Sequence, residues 1–143
     1  DVGKFSPKKI DSRFFPVDIE FDAKIEFVDF SDGKKGIAVT IQTSYDQLIF
    51  AKEGSKPTAK INIYGRITSK DKKTDGFFEE QLTAIVTTEE LSDIRGKSIT
   101  LRKVFVLPEG KYQFGISVRD FYSDYLGIKV MKFQIPQSKN PKK

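Results

Sequence analysis

The carboxylates come closest to chemistry in Asp29-Phe30-Ser31-Asp32-Gly33 and in Asp71-Lys72-Lys73-Thr74-Asp75-Gly76, where acidic side chains stand beside a glycine. Hard cations take several oxygen ligands, so such a loop could begin a calcium site. Lysine neighbours repel a cation, neither stretch carries the closing glutamate of an EF-hand, and Asp-Gly is a common pair in tight hairpin turns. Both stretches therefore read as plain hairpins, and no metal or other cofactor is expected. Asp120 and Asp124, which flank a tyrosine-rich loop, are read in the same way. Glu79 and Glu80 cannot share an acid–base site, because neighbours along a strand point to opposite faces. The chain holds neither Cys nor His, which removes thiol nucleophiles, imidazole bases, His/Cys zinc sites and the Ser-His-Asp arrangement. No catalytic residue is assigned, and the expectation is a protein that is not an enzyme. Trp, the usual stacking platform for sugars, is also absent, so small-molecule or sugar binding is not the leading reading.

What remains is recognition. Asp120-Phe121-Tyr122-Ser123-Asp124-Tyr125-Leu126 is the one dense aromatic cluster outside an alternating strand. Aromatic rings give large contact area at low entropy cost, and tyrosine keeps a polar handle. Phe121, Tyr122 and Tyr125 are thus candidate partner-binding residues, with capping of the core as their competing role. The N-terminal arm, residues 1–16, carries Phe5, Phe14 and Phe15 with Pro7 and Pro16 and reads as extended chain. Its aromatics are candidates too. The arm either packs along its own domain or pairs with an open sheet edge of another copy.

The elements that must position these residues are strands. Apolar side chains recur at every second position in run after run, bounded by Gly, Pro, Asp and Ser. Seven runs are counted: 21–30, 37–45, 59–68, 77–86, 98–106, 111–121 and 127–136. The second and sixth alternate almost without error, whereas 77–86 has apolar groups on both parities and leaves its inward face open. Gly65, inside the third run, implies a bulge or a close backbone approach. Thr87 to Glu90 has capping-box spacing and starts one short helical turn near residues 88–94. The expected fold is all-β, a seven-stranded immunoglobulin-like sandwich over residues 17–136, with a barrel of similar strand count as the alternative. At 143 residues the chain has the size of one domain with its own core.

The formal charge of +5 is not spread over that domain. Residues 1–13 hold Lys4, Lys8, Lys9 and Arg13 against Asp1 and Asp11, and the basic tail, 137–143, holds Lys139, Lys142 and Lys143 unopposed. Between them eighteen basic residues face eighteen acidic ones. Nucleic-acid binding concentrates basic groups on the folded part, so no nucleic-acid partner is expected. No apolar run reaches the ~18 residues that span a membrane.

Leu107-Pro108-Glu109-Gly110-Lys111-Tyr112 resembles the lead-in to a late strand in fibronectin type III and related sandwiches, where a tyrosine hydroxyl bonds upstream backbone. A broader resemblance covers residues 14–136. It runs through Phe14-Phe15, Tyr45-Asp46-Gln47-Leu48-Ile49-Phe50, Leu101-Arg102-Lys103, Leu107 to Tyr112, Val118-Arg119-Asp120 and Lys132-Phe133-Gln134-Ile135-Pro136. These phrases are similar to the N-terminal β-sandwich region of bacterial GWxTD-domain proteins. The Gly-Trp-x-Thr-Asp element itself is missing. The resemblance implies an exported bacterial protein, periplasmic or extracellular, with no catalytic residues to carry over. The expected function is a non-catalytic protein-interaction module, and the alternative is a self-assembling structural subunit that uses the arm for strand addition.

Overall fold

The structure, a computed structural model, describes residues 18–73 and 75–137. The arm with Phe5, Phe14 and Phe15 and residues 138–143 of the tail lie outside the described residues. Strands and their alternation dominate, as the period-two pattern demands. They are β1 (Asp22–Asp29), β2 (Lys35–Ser44), β3 (Ala51–Glu53), β4 (Lys56–Ser69), β5 (Asp75–Ile85), β6 (Ser98–Val106), β7 (Gly110–Asp120) and β8 (Leu126–Ile135). Eight strands are described, not seven. The unforeseen one, β3, is three residues long and holds no apolar alternation, so no periodic signal could mark it. The capping box is present: Thr87 Oγ1 accepts from the Glu90 N–H at 3.0 Å and Glu90 Oε1 accepts from the Thr87 N–H at 2.8 Å. The helix it starts, α1, is shorter than expected, Thr88–Leu91. A second helical turn, of 3-10 type, covers Tyr45–Gln47, where the Ser44 hydroxyl accepts from the Asp46 N–H.

The strands form two antiparallel sheets. One has the order β1-β2-β6; in the other, β5, β4, β7 and β8 run side by side, and β3 shares with β7 one edge of β4. Their inward faces enclose one core, in which Ile37, Val39 and Ile41 of β2 meet Ile61 and Ile63 of β4 and Phe114, Ile116 and Val118 of β7. Phe78, Phe105 and Phe114 join the sheets through tilted and edge-on ring contacts at 5.9–6.3 Å. Gly65 explains itself here as a close approach and not a bulge, because the β4 ladders run through it without interruption. A Cβ at that position would run into the Phe78 ring and stand 2.9 Å from Phe114 Cε1. Gly127 plays the same part for the backbone before β1: a Cβ there would collide with the Ile19 carbonyl oxygen. Asp18 and Ile19 N–H both donate to the Leu126 carbonyl, so the chain enters β1 from beside β8.

The open question over β5 is settled by burial. Phe78, Leu82 and Ala84 face the core, while Phe77 and Ile85 stand 65% and 62% exposed. Glu79 and Glu80 do point apart: Glu79 is exposed, and Glu80 pairs with Lys103 of β6 at 2.6 Å. An inward-facing charge on an edge strand discourages another strand from adding there.

Thr43 is fully buried on β2, and its hydroxyl has no hydrogen-bond partner among the described residues. An unsatisfied buried hydroxyl costs folding free energy that an isosteric methyl does not. Thr43→Val is therefore expected to stabilise the fold by about 1 kcal/mol. Thermal unfolding should show it as a midpoint about 3 °C higher.

Candidate interaction surface

β7 keeps its alternation to the last residue, so Asp120 arrives at an inward position as a carboxylate, fully buried. Its oxygens are satisfied by backbone. The Ile49 N–H donates to Oδ2 at 2.8 Å and the Tyr122 N–H to Oδ1 at 3.1 Å. One side chain thus ties the 121–125 turn to the segment between the 3-10 turn and β3. The turn is closed further by the Asp124 N–H on the Asp120 carbonyl at 2.8 Å and by the Asp120 N–H on the Tyr125 carbonyl at 2.9 Å. Asp124 takes a φ of +63°, a value that aspartate tolerates better than most residues. Asp120 and Asp124 are therefore turn-builders that do not converge on a common point.

Pinned in this way, the loop presents its rings. Phe121 and Tyr125 are 47% and 49% exposed. Tyr122 is half-buried and meets Phe121 edge-on at 5.2 Å. Lys60 Nζ stands 5.2 Å from the Phe121 ring centre and 5.9 Å from that of Tyr122. Glu53 completes the group, accepting from the Tyr122 hydroxyl and pairing with Lys60 at 2.7 Å. The structure thus brings Phe121 and Tyr122 together while Tyr125 stands exposed on the same turn, and it adds Glu53 and Lys60. No sequence signal marks those two, since Glu53 meets Tyr122 across 69 positions. The only local cue is the β3–β4 hairpin.

The three ionisable groups set one another's charge. The Lys60 ammonium, and then the Tyr122 hydroxyl, hold the Glu53 carboxyl below its ordinary value. Glu53 in turn raises Lys60. Desolvation, followed by the Glu53 contact, raises the Tyr122 phenol. The carboxylate stays charged, the amine stays protonated and the phenol stays neutral, so none is poised to exchange a proton near pH 7. A depressed carboxylate contributes stability that is present above its ordinary range and lost as pH falls through its folded-state value. The brace from Glu53 is therefore expected to hold at neutral pH and to release on the acid side. In Lys60→Met the Glu53 titration followed by carbon NMR should move up; an unchanged midpoint would show that Lys60 is not its main partner.

No family model matches the chain, and no curated protein does. The surface must be read from its own residues.

A hollow of about 420 Å³ at the same end is lined by ionisable Glu20, Asp22 and Lys129 with Gln42, Ser98 and Gln47. Glu20 and Asp22 are both exposed to solvent. The Gln47 side chain holds the Glu20 backbone like a neighbouring strand, accepting from its N–H at 2.8 Å and donating to its carbonyl. The two hairpin stretches are likewise occupied by local partners. Asp29 pairs with Lys35 at 2.7 Å, Asp32 accepts from the Lys34 N–H, Asp71 accepts from the Ser69 hydroxyl, and Asp75 takes Arg66 in a two-pronged pair. Among the described residues no three acidic side chains gather as a metal site would require, and no helix is long and apolar enough to cross a membrane.

Proposed function

We propose that this chain is a non-catalytic protein-interaction module of an exported bacterial protein, and that the 120–126 loop is its contact surface. One observation carries this reading: two aromatic rings stand half-exposed on a turn that a buried carboxylate holds in place. Rigid, exposed aromatics lose little entropy on binding, which is how small rings dominate recognition surfaces. Within the same reading, the domain is an immunoglobulin-like sandwich similar to the N-terminal region of GWxTD-domain proteins. Two features support that likeness. Tyr112 donates its hydroxyl to the Pro108 carbonyl at 2.7 Å, forming the tyrosine corner. Leaving β3 aside, the strands divide three and four between the sheets.

The test pairs stability with binding. Phe121→Ala with Tyr125→Ala removes exposed rings and should change unfolding free energy by no more than about 0.5 kcal/mol per site. Binding to the partner isolated with the wild-type chain should weaken by more than about tenfold, the scale of one recognition anchor. Undiminished binding would remove the loop from the function.

Self-assembly is the second reading, favoured by the way the chain enters β1 from beside β8, the last strand of its sheet. Light scattering of the full chain against a deletion of residues 1–16 separates the two. A mass above the monomer that falls on deletion supports assembly through the arm, and a monomeric mass for both excludes it.

A further inference from the structure

The two flanks of the domain are built differently. At one, β5 and β6 are the outermost strands, and Glu80 and Lys103 meet between the sheets at 2.6 Å, a charged closure that discourages strand addition. At the other, β1 and β8 are outermost. They run in the same direction: Lys129 Nζ stands 5.4 Å from the Phe21 ring centre at one end, and the Phe27 and Phe133 rings meet edge-on at 6.5 Å at the other. Ala23, Ile25 and Phe27 share the inward parity of Ile41, Val39 and Ile37 across the ladder, and Met131 that of Phe114. Those four partners have no exposed surface, yet none of the flank residues is buried, and Phe27 is 59% exposed. β1 pairs with β2 alone among the described strands, so its outer edge is a template for a further strand.

A segment able to cover this flank is tethered beside it. The Asp18 and Ile19 N–H groups both donate to the Leu126 carbonyl at the head of β8, so residues 1–17 leave from the end of the flank. The sign of charge changes at that point. Residues 18–29 hold five carboxylates, Asp18, Glu20, Asp22, Glu26 and Asp29, against Lys24 alone, whereas residues 1–17 hold four bases and two acids. Asp29 is taken by Lys35, and the other four carboxylates are exposed. Length suffices as well. The run from Ile19 to Phe27 covers about 26 Å at about 3.3 Å per residue, and the extended chain from Ile19 back to Ile10 covers about 30 Å. Pro16 suits the second position of a turn through Phe15-Pro16-Val17-Asp18. We infer that residues 8–15 of the same chain fold back along this flank and guard the β1 edge against another chain. Ile10 and Phe14 lie on Ile25, Phe27 and Met131, and Lys8, Lys9 and Arg13 face the carboxylates of β1. A tethered segment acts at an effective concentration in the millimolar range, which a neighbour's arm does not match. The inference stands apart from the loop reading and places the arm opposite to self-assembly.

The chain has no cysteine, so Ser12→Cys carries a single nitroxide in the full chain, and NMR reads the broadening it causes amide by amide. Strong broadening is expected at Ile25, Phe27 and Met131. It should be weaker at Glu79 and Gln81 of β5, which lie three strand spacings from β8, about 14 Å further off. Ile10→Asp with Phe14→Asp, added to the labelled chain, should abolish it. A mixture of nitroxide-labelled chain and isotope-labelled chain should show none, since the contact is within one molecule. Deleting residues 1–16 should speed hydrogen exchange of the β1 amides by about tenfold and raise the mass found by light scattering above that of the full chain. Should the deletion fail to fold, the Ile10→Asp, Phe14→Asp chain without label is measured in its place. Broadening in the mixture, broadening as strong on β5 as on β1, broadening that survives the two substitutions, or none at all would each overturn the inference. An equal or lower mass after deletion overturns the guarding role.

Discussion

Phe114→Ala is expected to lower the unfolding free energy by about 3–5 kcal/mol, the largest effect of any single truncation in the core. Phe114 lies on β7, between β4 and β8, with no exposed surface. Its ring meets Phe78 of β5 edge-on at 6.3 Å and Phe105 of β6 edge-on at 6.0 Å. It therefore joins the far strand of one sheet to the outer strand of the other. The approach of the rings is made possible by Gly65, where any side chain would occupy their space. Truncation removes a whole ring from a site whose neighbours are fixed by strand pairing, so the cavity cannot collapse and its cost adds to the lost burial. Phe77→Ala is the matched control. That ring is 65% exposed, and its loss should cost no more than about 0.5 kcal/mol. Urea unfolding of both variants measures the difference; comparable midpoints would mean that the aromatic cluster does not bind the sheets together.

Asp120→Ala should cost about 3 kcal/mol and act on the function as well as the fold. The substitution strands the backbone N–H groups of Ile49 and Tyr122, which the carboxylate alone receives. A buried donor left unpaired costs about 1–3 kcal/mol, and the substitution strands two of them. Asp120→Asn keeps the shape but turns an NH₂ toward one of the two donors, so it should recover only part of the loss. Hydrogen exchange is expected to speed up first at the Ile49 and Tyr122 amides. If exchange there is unchanged while stability falls, the carboxylate acts through packing and the loop is held by something else.

Much of this fold was legible because side-chain period and burial coincide. Residues 37–45 and 111–121 alternate cleanly, and both lie on inner strands: Ile37, Val39, Ile41 and Thr43 of β2 and every inward position of β7 from Tyr112 to Asp120 are buried, while Tyr45 passes into the 3-10 turn and is half-buried. Tyr112 was legible for a different reason, since Pro108 and Gly110 fix the turn that brings its hydroxyl back to the backbone. β5 resisted because Phe77 and Phe78 are both apolar, and only pairing against Gly65 decides which one turns inward. β3 had too few residues to carry a period. The candidate loop was visible as composition, but the pin that holds it was legible only in part. Asp120 continues the inward parity of Tyr112, Phe114, Ile116 and Val118, which was the available signal, yet its donors lie as far as 71 positions away.

The central claim is that the pinned aromatic loop touches a partner. A photo-cross-linking residue placed at Tyr125 in the full chain, and in a second protein at Lys24 on the opposite sheet, tests it in the cells that make the chain. The expected result is one discrete adduct from position 125, absent from position 24 and lost when Asp120→Ala is added. Adducts of equal yield from both positions, or none from position 125, would contradict the claim.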